Sequence, residues 1–143
     1  MRLVLDANEY IFALGAVREP ACAILLETLR VRGGSVRIER TIVQEVTRHL
    51  HQDDLRAFFA VLGILLEEGS GIDEDFIVPH HVAQHYQDIG FKEGDAHIAA
   101  YAHVVEADVL VSENRRHFHA RATDLPFKVM DAAQFLKRHA AAR

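Results

Sequence analysis

The chain's 143 residues, half apolar and 26% charged, suit one globular domain and leave no room for a second. At this length roughly 68–70% of the unfolded surface can be buried, so a core needs no staples, and the lone cysteine, Cys22, excludes an intramolecular disulfide. A net charge of −5 does not announce nucleic-acid binding, and the longest apolar run, Ala57 to Leu66, is too short for a bilayer. Asp6 also interrupts the stretch a signal peptide would need, so a cytoplasmic location is expected.

No repeat, low-complexity tract or linker divides residues 1–143, which are read as a single unit. Leu3 to Leu5 form a strand apolar on both faces, of the kind buried in a parallel sheet, with Asp6 at its end. Helices are expected from Asn8 to Ala16 and from Ala21 to Arg32, the second stopped by Gly33 and Gly34. Val36 to Ile38 give a second strand, and Thr41 is the expected N-cap of a helix to His51. The next helix, Asp53 to Glu67, carries Phe58, Val61, Leu62 and Leu65 at helical spacing and ends before Gly69. Further helices are expected from His80 to Asp88 and from Glu93 to Val105, then strands at Val109 to Val111 and Phe127 to Met130. Asp131 caps a terminal helix. Strands alternating with helices imply βαβ crossovers, and so an α/β fold in three layers around a mostly parallel twisted sheet. Ligands of such sheets bind beyond the carboxyl ends of the strands, which selects Asp6 and the segment Ser112 to Asn114.

Asp6 reads either as a ligand or as an ordinary helix N-cap. Asp95 falls on the apolar side of its helix with Ile98, Ala99 and Ala102, where a carboxylate needs a partner or a cation; first-turn placement at the helix dipole is the plainer reading. Glu45 projects to the edge of the stripe made by Ile42, Val46 and Leu50, or is a solvated helix glutamate. His49 and His97, near Glu45 and Asp95, are candidates to orient carboxylates. His80, His81 and His85 lack a third ligand for zinc and read as surface residues, and Cys22 as a small buried hydrophobe.

Taken together, Val4 to Asn8, Ile42 to Val46, Glu93 to Ala100 and Ala107 to Asn114 resemble, in order and spacing, the signature segments of the PIN-domain nucleases. The resemblance runs from Leu3 through the terminal helix. It implies a PIN-like fold, Asp6, Glu45 and Asp95 as metal-binding acids with Asn114 at the fourth position, and Ser112 on the polar rim. It also implies Mg²⁺ or Mn²⁺ and hydrolysis of RNA to 5′ phosphate and 3′ hydroxyl ends. Small members of the family include ribonuclease toxins of the VapC type, neutralised by an antitoxin, and homodimers are common among them. Arg115 and Arg116 read either as contacts to phosphates, which position a strand without reading its sequence, or as solvated surface charge.

Clustered carboxylates repel one another, and a hard divalent ion relieves them better than zinc would. The chain departs from the family where many relatives carry an acid: it has Asn114 there, and His117 ahead of Phe118. Glu113 is expected to point to the other side of the strand end. The alternative reading is therefore a catalytically silent PIN-like module that binds RNA or protein. A DNA-structure nuclease is a third. The apolar residues Tyr10, Ile11, Leu25 and Leu29 serve either the core or self-association.

Overall fold

Three successive apolar residues with no polar face fit the middle of a sheet covered on both sides. The computed structural model, which describes residues 1–114 and 124–140, puts Leu3–Leu5 there as β1. There follow α1 (Ala7–Leu14), α2 (Pro20–Arg32), β2 (Val36–Arg37), α3 (Arg40–His49), α4 (Gln52–Leu65), α5 (His80–Asp88) and α6 (Glu93–Val104). After them come β3 (Val109–Val111), β4 (Lys128–Met130) and α7 (Ala132–Phe135), which continues as a π-helical turn over Leu136–Ala140. The sheet is parallel throughout, in the order β2-β1-β3-β4. Leu3 lies opposite Val36 on one side and Val109 on the other, and Val111 lies opposite Met130. β1 and β3 are the two inner strands, and every residue of both is buried.

Helix α1 packs on α2, α3 and α4, and α2 on α7; α5 pairs with α6, which packs on β3. The architecture is thus the expected α/β/α sandwich. Tyr10, Leu25 and Leu29 are fully buried and Ile11 packs against the core, so these four residues serve packing and not self-association. Among the described residues no helix is long and apolar enough to cross a membrane.

Several boundaries differ from expectation for identifiable reasons. α1 stops at Leu14 because Gly15 turns extended and returns its N–H to Ile11 O; a Cβ there would lie 2.7 Å from that same oxygen. α2 begins at Pro20, whose fixed φ and missing N–H suit the first helical position. It ends as expected, at Gly33 and Gly34, whose φ values of 68° and 63° are disfavoured for other residues. Thr41 is not the cap of α3. Glu39 is, its carboxylate accepting from the amides of Thr41 and Ile42 at 2.8 and 3.0 Å. α4 ends at Leu65 because Leu66 leaves the helix to bridge Val36 at the sheet edge. The run Ala57 to Leu66 is only partly buried: Phe58, Leu62 and Leu65 face the core, while Phe59 and Ile64 are each 46% exposed. Asp131 caps α7 in a full capping box with Gln134.

Candidate active site

Because β1 and β3 are neighbours in register, the residues that follow them meet at the carboxyl end of the sheet. Asp6 is the N-cap of α1 and at the same time lines a cleft. One oxygen, Oδ1, accepts from the Ala7 amide at 2.7 Å and caps α1; the other, Oδ2, accepts from the Ser112 hydroxyl at 2.9 Å. Ser112 is fully buried, and its oxygen in turn accepts from the Asn114 amide at 3.1 Å. These bonds tie the end of β3 to the end of β1. Burial pushes the Asp6 carboxyl up to about 6, against the lowering effect of the Ser112 and Ala7 bonds, and the charges of Glu45 and Asp95 add to the rise.

Glu45 from α3 and Asp95 from the first turn of α6 are both half-buried. With Asp6 and Asn114 they line a cleft of about 190 Å³, joined by Asn8 and His97. The four residues expected to form a site are therefore brought to one place. Ser112 stands behind Asp6 instead of lining the cleft. Arg115, Arg116 and His117 lie outside the described residues. His80, His81 and His85 are exposed on α5.

The histidines near the acids act differently from expectation. His49 is exposed, and its Nδ1 meets the backbone oxygen of Glu45 at 2.8 Å, not the carboxylate. His97 lies with Nε2 3.3 Å from Oε2 of Glu39, at an angle off the hydrogen-bond line. Glu39 was not singled out by sequence and is almost completely buried. Burial alone would raise its carboxyl; the His97 ring and the Thr41 and Ile42 amides outweigh that and hold it below the usual carboxylate value.

Glu9 is the second residue that sequence reasoning missed. It is completely buried on α1, where burial first, and then the hydrogen bond and charge of Glu113, push its carboxyl up to about 10. At neutral pH it therefore holds a proton beside the Glu113 carboxylate. Its Oε2 has no hydrogen-bond partner among the described residues. Its Oε1 accepts from the Cys22 thiol at 3.5 Å, and Glu113 Oε2 accepts from the Ala132 amide at 3.1 Å. Glu113 thus points away from the cleft, as expected. Donor atoms of Glu9, Cys22 and Glu113 lie within 4.8 Å of one another, close enough for a metal ion or, as read here, a shared proton. Cys22 is buried as expected, but polar in its contact; burial, then the charges of Glu9 and Glu113, push its thiol far up and make it inert.

No family model and no curated protein matches the chain by sequence. Among solved structures it is similar to the crystal structure of FitAcB from Neisseria gonorrhoeae, with a TM-score of 0.55 over 92% of this chain and 98% of that one. The two are 17% identical, so the likeness is one of fold. A parallel sheet of this order, helices on both faces and a full-length structural counterpart together identify the fold as PIN-like α/β/α.

Proposed function

We propose that the chain is a metal-dependent ribonuclease that hydrolyses RNA phosphodiester bonds. The observation that carries this reading is the convergence of Asp6, Glu45, Asp95 and Asn114, from four separate stretches of chain, on one cleft at the carboxyl end of the sheet. Three carboxylates and an amide oxygen form an all-oxygen donor set, which suits Mg²⁺ or Mn²⁺ and not a thiolate-seeking metal. The Asp6 carboxyl, raised mainly by burial and further by the charges of Glu45 and Asp95, is one that a bound cation would help to ionise. When bound, such an ion activates water and stabilises charge on the leaving oxygen.

The protein's own residues supply the alignment. Ser112 and the Ala7 amide occupy one lone pair on each Asp6 oxygen and fix the plane of the carboxylate, leaving its remaining lone pairs for the cleft. Glu45 and Asp95 add two further carboxylates to the cleft, Asn114 offers an uncharged oxygen, and Arg115 and Arg116 are assigned to the phosphates of the bound strand.

The test is cleavage of a structured RNA pool in Mn²⁺, with EDTA as control, beside melting curves of the same protein. Cutting is expected only with the ion, and at a hundred times its Kd the ion should stabilise the fold by about 2.7 kcal/mol. Unchanged melting and no cutting would overturn the metal centre. The neutral Asn114 favours a second reading, a silent RNA-binding module; RNA binding that persists in EDTA without cleavage would establish it.

As a small PIN-like chain it is further proposed to be the toxin of a toxin-antitoxin pair, which inhibition of cleavage by a neighbouring gene's product would test. A homodimer is proposed on the apolar residues left outside, among them Ile24 and Val31 of α2, 56% and 74% exposed, and Ile64 of α4. Sedimentation should then give twice the 16.1 kDa of one chain. A 16.1 kDa species alone at micromolar concentration would remove the dimer.

A further inference from the structure

His97 lies on α6 two residues past Asp95 and lines the same cleft. Its Nε2 is closed to solvent and 3.3 Å from Glu39 Oε2, yet the side chain as a whole is 28% exposed. The exposed part of the ring is therefore the part away from Glu39. Glu39 cannot turn aside, because both its oxygens are held by the first amides of α3. Phe76 meets the imidazole edge-on at 6.0 Å and 74°, which restrains the ring. A carboxylate can only accept, so a neutral imidazole facing it carries its proton on Nε2 and keeps a lone pair on Nδ1.

The cleft is lined by three carboxylates, which only accept, by Asn8, Thr41 and Asn114, which can donate or accept, and by His97. A nucleic-acid backbone brings acceptors of its own in its phosphates. The backbone donor that RNA has and DNA lacks is the ribose 2′-hydroxyl. We propose that His97, held by Glu39, accepts a hydrogen bond from the 2′-hydroxyl of the nucleotide seated in the cleft and so determines a preference for RNA over DNA. The inference rests on the ribonuclease reading for its substrate. It adds the residue that selects the sugar.

The experiment uses one short RNA that the protein cuts and a set of copies, each with a single 2′-deoxy substitution near the cut. In the wild-type protein one copy is expected to lose roughly fivefold to tenfold in kcat/KM, the size of one net hydrogen bond. His97→Phe, which keeps a ring against Phe76 but has no acceptor, should cut that copy and the parent within about twofold of each other. His97→Ala is the second variant, and melting curves show that both are folded. A merely structural role would slow both substrates equally and leave the deoxy penalty in place.

If the penalty persists in both variants, or no single substitution penalises the wild type, the inference falls and the ribonuclease stands. If the wild type cuts nothing, the same copies are ranked by fluorescence anisotropy in Ca²⁺. Discrimination there that vanishes in the variants supports the role of His97 while the nuclease reading falls; equal binding of all copies overturns both.

Discussion

Asp95→Asn is expected to lower Mn²⁺-dependent RNA cleavage at least about a hundredfold, since it removes one of the three charges proposed to hold the ion. The substitution keeps the shape of the side chain and one oxygen, so the loss reports charge and not a cavity. Asp95 sits in the first turn of α6, where a carboxylate near the helix dipole is worth about 0.3–1 kcal/mol, a small loss beside the effect expected on cleavage. Activity and stability therefore separate: cleavage collapses while melting in EDTA hardly moves. Single-turnover rates for both proteins, with melts in parallel, provide the comparison. A folded variant that cuts within tenfold of the wild type would show that the cleft does not depend on this acid and would move the chemistry elsewhere.

The second large effect concerns stability. Glu9 ionises at its ordinary 4.5 when unfolded but keeps its proton to about 10 when folded, so unfolding at neutral pH releases a proton. Its contribution is fully present below 4.5 and is lost progressively as the pH rises toward 10. At pH 7 the loss amounts to up to about 3 kcal/mol, from 1.36 kcal/mol per pH unit. Glu9→Gln removes this dependence, since its amide donates to Glu113 and its oxygen accepts from Cys22 with no proton at stake. Melted in EDTA, the variant should match the wild type near pH 4.5 and exceed it by up to about 6–12 °C at pH 7, at about 2–4 °C per kcal/mol for chains of this size. Parallel Tm curves across that range would show that Glu9 does not carry the proton.

What the sequence made legible was set by local rules. Leu3 to Leu5 can only be an inner strand, Gly33 and Gly34 can only end a helix, and Asp6 follows from the position of strand ends in parallel sheets. Glu45 and Asp95 were legible because helical spacing puts each at or near an apolar stripe. Glu39 was hidden: glutamate is not among the usual N-cap residues, Thr41 two positions on is, and nothing local says that α6 will bring His97 against it. Glu9 was hidden for a related reason. It shares the buried face of α1 with Tyr10 and Ala13, but what makes it tolerable is Glu113, more than a hundred residues away. A buried carboxylic acid with a carboxylate for its partner has no signature in a window of ten residues.

That long separation bears on how the protein is made. The bond from Ser112 to Asp6 closes 106 residues of chain, and inner strand β1 has only short β2 beside it until β3 arrives. Contacts of this range form late, after the entropy of closing the intervening chain has been met. Until Val109 to Asn114 are in place, Asp6 Oδ2 lacks its Ser112 donor and the cleft lacks Asn114. The cleft is therefore among the last parts of the fold to close, and its acids stay apart through most of the folding process.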